Sequence, residues 1–588
     1  MFLEIEAALT ILAVVLACTA PNLGSRWFEA LERSFGRLAQ RRGLSVVVTG
    51  LTALALRAAL LPILPVPQPC IQDEFGYLLL SDTFAHGRLT NPTNPMWVHF
   101  ESPFIIWHPT YTTMFYPAQG LFMALGQVLT GVPFWGVWLS VGLMCAAITW
   151  MLQGWLDPGW ALLGGFLAVI RFGTFNYWAN SYWGGAVTAI GGALVLGALP
   201  RLKRKLRAHD AVLMGLGFAI IANSRPYEGL FFGTPVAISI LVWLWKMRRP
   251  ELGRALKRAM VPLLAVLGLT MIAMGYYFWR TTGSPFNTPY LVEVHTYDPV
   301  PYFPWQAMKP IPAYRHPEFR RYYLHTVYVL YSLSRTVSGS IMLKLGRLAL
   351  MWSFFFGPVF TLPLLVGAGI LPYGFSWRSI SPQARFLMAA CGAVIVANML
   401  PIWYTPHYSA VMTCALLALV LFAMRYVRGW QWYHKPAGLF ITRAVPSICV
   451  LLLALRAAAG PLHLPLPPKW PSGGWAIWCS STPKNPQRAA VLRKLRRDPG
   501  RQLVIVHYDP DYDIYYHEWI YNRADIDSAK VIWARDMGPA ENEKLIHFFM
   551  HRHAWLVRPG DYSDELQPYS GSADRQLLSA NSEERATR

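Results

Sequence analysis

Long apolar runs separated by short polar stretches organise the whole chain. A helix needs about 20 mostly apolar residues to cross a bilayer. On that measure the 588 residues give about twelve spans, near 6–22, 44–66, 133–152, 159–172, 184–200, 211–223, 227–245, 259–279, 345–371, 386–402, 407–425 and 441–459. The runs near 159, 211 and 386 are short. The first run lacks a basic leader with a small-residue cleavage site and is followed by further spans, so it reads as a retained helix and not a signal peptide.

The polar loops set the orientation. Arg26, Arg33, Arg37, Arg41 and Arg42 lie between the first two runs, and Arg201, Lys203, Arg204, Lys205 and Arg207 follow the fifth. Lys246, Arg248, Arg249, Arg254, Lys257 and Arg258 follow the seventh, and Arg425, Arg428 and Lys435 the eleventh. Alternating the spans puts all four clusters on one face, which the positive-inside rule makes the cytoplasmic one. The opposite face carries residues 67–132, residues 280–344 and a tail from 460. Asn91-Pro92 and Asn94-Pro95 mark turns in the first of these loops. The second is rich in Tyr, Pro and Trp and carries Lys309, Arg315, Arg320 and Arg321. Long loops of this kind are usually functional.

In the tail, 503–508, 530–536 and 554–559 read as strands and 487–497 and 542–552 as helices. Residues 571–588 are polar and read as disordered. The predicted organisation is an all-α polytopic membrane domain over 1–459, a small α/β domain over 460–570 on the non-cytoplasmic side, and a disordered end. No internal repeat and no phosphate-binding or dinucleotide glycine motif interrupts this pattern.

Composition agrees. Only 14% of residues are charged and 54% are hydrophobic, whereas a soluble chain carries about a quarter charged residues. The 25 Trp gather at the ends of apolar runs, where amphipathic rings meet headgroups. A net charge of +21 suggests nucleic acid at first sight, but it sits in short loops and not on one folded stripe, which excludes that class. Cys18, Cys145, Cys391, Cys414 and Cys449 fall in apolar runs and act as small hydrophobes. Cys70 and Cys479 lie outside them; a disulfide in an oxidising compartment and two free thiols both fit, the second more simply. No Cys/His spacing suggests zinc. The compact loops suit a bacterial inner membrane.

Candidate chemistry gathers on the non-cytoplasmic face. Gln72-Asp73-Glu74 follows the second span, and interfacial acids are functional candidates. Such a carboxylate takes a proton from a hydroxyl or holds a divalent cation through oxygen; a solvated helix end is the plain alternative. After it, Tyr77, Leu78, Ser81 and Ala85 recur at helical spacing, as in a helix lying along the membrane surface.

The acidic pair just after an early span, this amphipathic stretch, and Tyr116-Pro117-Ala118-Gln119-Gly120 before the next span resemble the family 39-type membrane glycosyltransferases. That group has the GT-C fold and includes the protein O-mannosyltransferases and the lipid A aminoarabinose transferases. The likeness covers roughly residues 40–280 and does not reach the tail. It implies a polyprenyl-phosphate sugar donor lying in the membrane, an acceptor from the aqueous side, and inversion at the sugar. By position it makes Asp73 the general base and Glu74 a neighbour that positions acceptor or metal, with Tyr77 and Tyr116 near the substrate.

Further candidates follow from side-chain chemistry. Arg225, in Asn223-Ser224-Arg225-Pro226-Tyr227-Glu228-Gly229, is a permanent, bidentate phosphate binder; Glu228 either touches substrate or clamps Arg225. Asn180 and Trp183, in the turn Trp178-Ala179-Asn180-Ser181-Tyr182-Trp183, suit a sugar cleft, although an aromatic belt explains that turn as well or better. His407, in Trp403-Tyr404-Thr405-Pro406-His407-Tyr408, suits phosphate or proton transfer, and His108 suits substrate binding; structural roles compete for both. Lys309 and Arg315 add positive charge for a carrier phosphate. The rival functions are a lipid or polysaccharide flippase and a scaffold of an envelope-polysaccharide complex. Against a transporter, the chain shows no paired halves and no mid-span acids.

Overall fold

The computed structural model describes residues 2–371, 377–463, 477–479, 485–515, 517–560 and 566–569. Among these, nine helices are long and apolar enough to cross a membrane, so the protein is a multi-pass membrane protein. The expected runs near 159, 211 and 386 are helices too: Pro158–Phe172, Ala208–Ala222 and Pro382–Asn398. At 15, 15 and 17 residues they are shorter than a full crossing needs.

Three of the basic loops meet at one end of the bundle. Arg204 donates to the Gly154 carbonyl at 2.5 Å, Gln153 to that of Arg42 at 2.9 Å, and Arg425 pairs with Asp157 at 3.1 Å. The 20-residue helix Ala186–Lys205 runs from that end to the other, a rise of about 30 Å. Small residues permit the close packing. A side chain at Gly192 on this helix would strike the backbone of Val411, so this glycine lets the segment 406–412 lie directly against the helix.

One buried ion pair fastens the first helix. Glu6 on Phe2–Thr19 meets Arg171 at 3.1 Å, with both side chains 1% exposed. Its other oxygen accepts from the Trp478 indole at 3.0 Å. Arg171 lies in the last turn of the helix Pro158–Phe172, ahead of the turn read above as a possible sugar cleft, and its work is structural.

The tail is the α/β unit expected. Three parallel strands, Val531–Arg535, Arg501–Val506 and Arg552–Val557, lie in that spatial order, and Gln567–Pro568 adds an antiparallel edge. Leu503 faces Ile532 on one side and Ala554 on the other. The helices are Pro486–Arg497 and Pro539–Phe548. The predicted disordered end, 571–588, lies outside the described residues. Cys70 and Cys479 are buried and free, so the disulfide does not form.

The helix after the acidic pair, Gln72–Ala85, corrects the sequence reading. It is not a surface helix with one wet face, because most of its residues are buried on all sides. The tail covers it: Gln72 donates to the Ile514 carbonyl at 2.5 Å, Phe75 stacks on Tyr521 at 5.0 Å, and Asp82 pairs with Arg523 at 3.0 Å. These partners lie more than 430 residues away, so no local periodicity announces them.

A second buried pair lies within the tail, at its border with the loop over 280–344. Arg535 is 1% exposed and meets Glu518, itself fully buried, at 2.7 Å; Glu318 of the loop lies 3.7 Å away. Removing one partner of such a pair costs about 3–5 kcal/mol, because the other charge stays buried alone. Glu518→Gln is expected to lower the melting temperature and to open the tail to proteolysis, read by limited digestion of the purified protein.

Candidate active site

At the end of the bundle away from the basic loops lies a cavity of about 260 Å³. Four parts of the chain meet there. The Gln72 helix brings Asp73 and Tyr77, and the turn before Pro226–Trp245 brings Arg225, with Glu228 in that helix's first turn. The loop over 280–344 brings Tyr290, Glu293, Asp298, Tyr302, Tyr322 and Tyr323. The segment around 403–408 adds Trp403, Thr405 and Tyr408, and Tyr116, Trp183 and Tyr515 close the walls.

Asp73 and Glu74 are neighbours in sequence with opposite fates. Asp73 is partly accessible and lines the cavity. Glu74 is 2% exposed, and its oxygens accept from the backbone N–H groups of Cys70 at 2.9 Å and Tyr182 at 3.2 Å. A carboxylate held by two amides at a helix start is a structural anchor, so the expectation that Glu74 shares the chemistry is corrected. The same geometry removes the joint oxygen cage proposed for a cation: only Asp73 offers its side chain to the cavity. Among the described residues no three His, Cys, Asp or Glu side chains group as metal ligands, and no step below runs through a metal.

Electrostatics suit Asp73 to accept a proton. Burial pushes its carboxyl up to about 6, while the Arg225 guanidinium pulls it the other way. A base with a pKa near the working pH is the efficient kind. Burial likewise raises Glu74 to about 7 and Asp298 to about 6. Glu293 reaches about 8 through burial and the Asp298 charge, against a 2.7 Å hydrogen bond donated by Tyr323. Burial thus favours the neutral form of Glu293.

Arg225 is enclosed by protein yet open to the cavity. Its guanidinium carbon lies over the Tyr408 ring, 4.1 Å from the centroid. Among the described residues no carboxylate closes an ion pair on it, so the clamp with Glu228 does not form at ion-pair distance although both line the cavity. Asp73 and Glu228 act on it through space without closing an ion pair.

The remaining candidates separate clearly. Tyr77, Tyr116, Trp183 and Glu228 line the cavity. Asn180 does not: its amide donates to the carbonyls of Thr174 and Asn176, both at 2.7 Å, shaping the turn that presents Trp183. His407 stands one layer behind the wall, its ring 5.0 Å from that of Trp183 and 3.1 Å from the Tyr177 hydroxyl. It props the wall and does not line the cavity. His108 is exposed and packs on Trp97 at 4.8 Å. Arg315 lies over the same Trp97 and 3.5 Å from Glu101, away from the cavity. Lys309 sits behind Glu293 and Asp298; burial lowers it and their charges raise it.

Sequence reading passed over Glu293, Asp298 and the tyrosines of the loop over 280–344, choosing its cations instead. Glu293 and Asp298 are the acids between Pro289 and Pro299 in an otherwise basic stretch, and that contrast was the available signal. Tyr515 had none, because it arrives from the tail. It stacks on Tyr322 at 5.7 Å.

No family model matches the chain, and no curated protein matches it. Among solved structures it is similar to the apo Archaeoglobus fulgidus oligosaccharyltransferase, at 13% identity and a TM-score of 0.43 over 79% of this chain. The chain spans 62% of that protein's length. It is also similar to ArnT from Cupriavidus metallidurans, apo at 13% identity and TM-score 0.42, and bound to undecaprenyl phosphate at 14% and 0.41. Both ArnT alignments cover 88% of this chain and 93% of the other. The aminoarabinose transferases named by the sequence resemblance are thus among the similar structures. With every TM-score below 0.5, the functional reading rests on the cavity and not on these likenesses.

Proposed function

We propose that the chain is a membrane glycosyltransferase that moves a sugar from a polyprenyl-phosphate carrier to an acceptor on the non-cytoplasmic face of a bacterial inner membrane. The observation that carries this reading is the meeting, in one cavity at the end of a membrane bundle, of a carboxylate poised near neutrality and a guanidinium without a carboxylate partner. A lipid phosphate that leaves from the membrane needs the second, and an acceptor hydroxyl needs the first.

In the proposed step Asp73 takes the acceptor's proton as its oxygen attacks the anomeric carbon. The bond from that carbon to the phosphate oxygen breaks, and the electron pair departs with polyprenyl phosphate. Arg225 stabilises the charge on that leaving group, which is the electrostatic work that dominates many active sites. A single displacement inverts the anomeric centre. Tyrosine faces from the loop over 280–344 pack against the sugar, and Glu293, Asp298 and Glu228 bind its hydroxyls.

The test is transfer from radiolabelled polyprenyl-phosphate sugars by the purified protein in liposomes. Label reaching an acceptor supports the reading. A well-folded protein that transfers from none of the donors tried overturns it in favour of a flippase or scaffold.

The pH dependence follows from the same groups. Only ionised Asp73 accepts a proton, so kcat/KM is expected to rise with pH through about 6 and level off above. Arg225 holds that carboxyl down. Arg225→Gln is therefore expected to move the rising limb to higher pH, measured as a pH–rate profile of the residual activity.

A further inference from the structure

A second cavity, of about 890 Å³, lies at the end of the bundle where the basic loops meet. It is a groove between Pro158–Phe172 and Ala437–Ala459, crossed by the helix Ser25–Gln40. Its lining on the first helix, from Gly159 to Ile170, and on the second, from Thr442 to Ala454, follows helical spacing. Eleven or twelve residues of rise make it about 17 Å long, the scale of an acyl chain. Phe28, Phe35, Trp160 and Phe166 furnish its walls, and Leu31, Val450 and Leu451 are exposed at its rim. In a bilayer such a rim faces hydrocarbon.

One end of the groove is charged. Glu32 accepts from Arg443 Nε at 3.0 Å and Nη2 at 3.2 Å, and from Arg428 Nη2 at 3.0 Å. Two guanidiniums thus share one carboxylate, and the end keeps a net positive charge. Each guanidinium has five N–H donors, so donors remain on both after Glu32 is served. The crossing helix carries Phe28, Leu31, Phe35 and Leu38 on one face and Arg26, Arg33 and Arg37 elsewhere, the pattern of a helix seated in a headgroup layer.

We propose that this groove binds one anionic phospholipid of the leaflet on the basic face, with acyl chain between the two helices and headgroup phosphate at Arg428 and Arg443. An apolar, bilayer-facing trough must be filled by hydrocarbon, and a net positive mouth within a turn of it selects the headgroup. The site is separate from the cavity of Asp73, which lies at the other end of the bundle.

The test is native mass spectrometry of the full chain, delipidated and then given phosphatidylglycerol or phosphatidylcholine of the same chains. The expected result is one retained phosphatidylglycerol, held at least about tenfold (about 1.4 kcal/mol) more tightly than phosphatidylcholine, whose headgroup has the same phosphate but adds a choline cation that the net positive mouth repels. Arg428→Gln with Arg443→Gln should abolish the preference. That variant also frees Glu32, so a second one is needed. Gly36 lines the groove, and a Cβ built there meets nothing within 4 Å. Gly36→Leu should therefore fold, keep both arginines, and lose the bound lipid. Equal retention of the two lipids, or phosphatidylglycerol held undiminished by Gly36→Leu, overturns the proposal. So does a dimer of wild type that Gly36→Leu dissolves, which would make the groove a contact between copies of the chain.

Discussion

Asp73→Asn is expected to lower sugar transfer by about 10²–10⁴-fold, the range that general base catalysis supplies, with little change in stability. Asparagine keeps the size and polarity of the side chain and removes only its capacity to take a proton. The neighbouring substitution is the control. Glu74→Gln puts an amide N–H against one of the two backbone N–H donors now served by Glu74. An unsatisfied buried donor costs about 1–3 kcal/mol, so the variant should melt earlier yet transfer sugar at near wild-type rate when folded. Transfer rates and thermal melts of the two variants, measured side by side, separate a base from an anchor. The reverse pattern, an inert Glu74→Gln that melts normally and an active Asp73→Asn, would move the base to Glu74.

Arg225→Gln is the second large effect. If the guanidinium carries the charge of the leaving polyprenyl phosphate, its removal should cost about 10²–10³-fold in kcat, as losing one oxyanion donor does elsewhere. Arg225→Lys should recover part of this, because charge returns while the planar, bidentate fork does not. The lysine variant also loses the guanidinium's placement over the Tyr408 ring, 4.1 Å from its centroid. Rates for the three proteins at saturating donor, with donor binding measured separately, test the assignment. Loss of donor binding with unchanged kcat would make Arg225 a tether for the ground state and not a stabiliser of the leaving group.

Both predictions concern a site whose last wall comes from the tail. Tyr515 reaches the cavity from the tail, and the tail is held over the Gln72 helix and the loop over 280–344 by contacts such as Gln72 with the Ile514 carbonyl and Arg535 with Glu318. For this reason Glu518→Gln, expected to loosen the tail, should also depress transfer, although it lies in neither the cavity nor the membrane helices.

Much of this protein is written locally. The apolar runs coincide with the nine helices long enough to cross a membrane among the described residues, because length and hydropathy are properties of a segment alone. The tail strands were legible for the same reason: 503–508 and 554–559 overlap Arg501–Val506 and Arg552–Val557. Alternation of basic loops also placed Asp73, Arg225 and Glu228 at a common end, and they do meet in one cavity.

What the chain could not announce is which neighbour faces inward. Asp73 and Glu74 are chemically alike in sequence, and successive side chains on a helix point about 100° apart. Only packing against Cys70 and Tyr182 turned one acid into an anchor and left the other to the cavity. His407 was likewise set behind the wall by Tyr177 and Trp183, more than 200 positions earlier. The Gln72 helix read as a membrane-surface helix until the tail buried it. Sequence therefore determined the membrane helices, the tail's strands and the end of the bundle where Asp73, Arg225 and Glu228 gather, since each depends on local hydropathy and charge. The tertiary structure alone decided which acid is presented, which tyrosines form the walls and what roofs the site, since those depend on contacts between residues hundreds of positions apart.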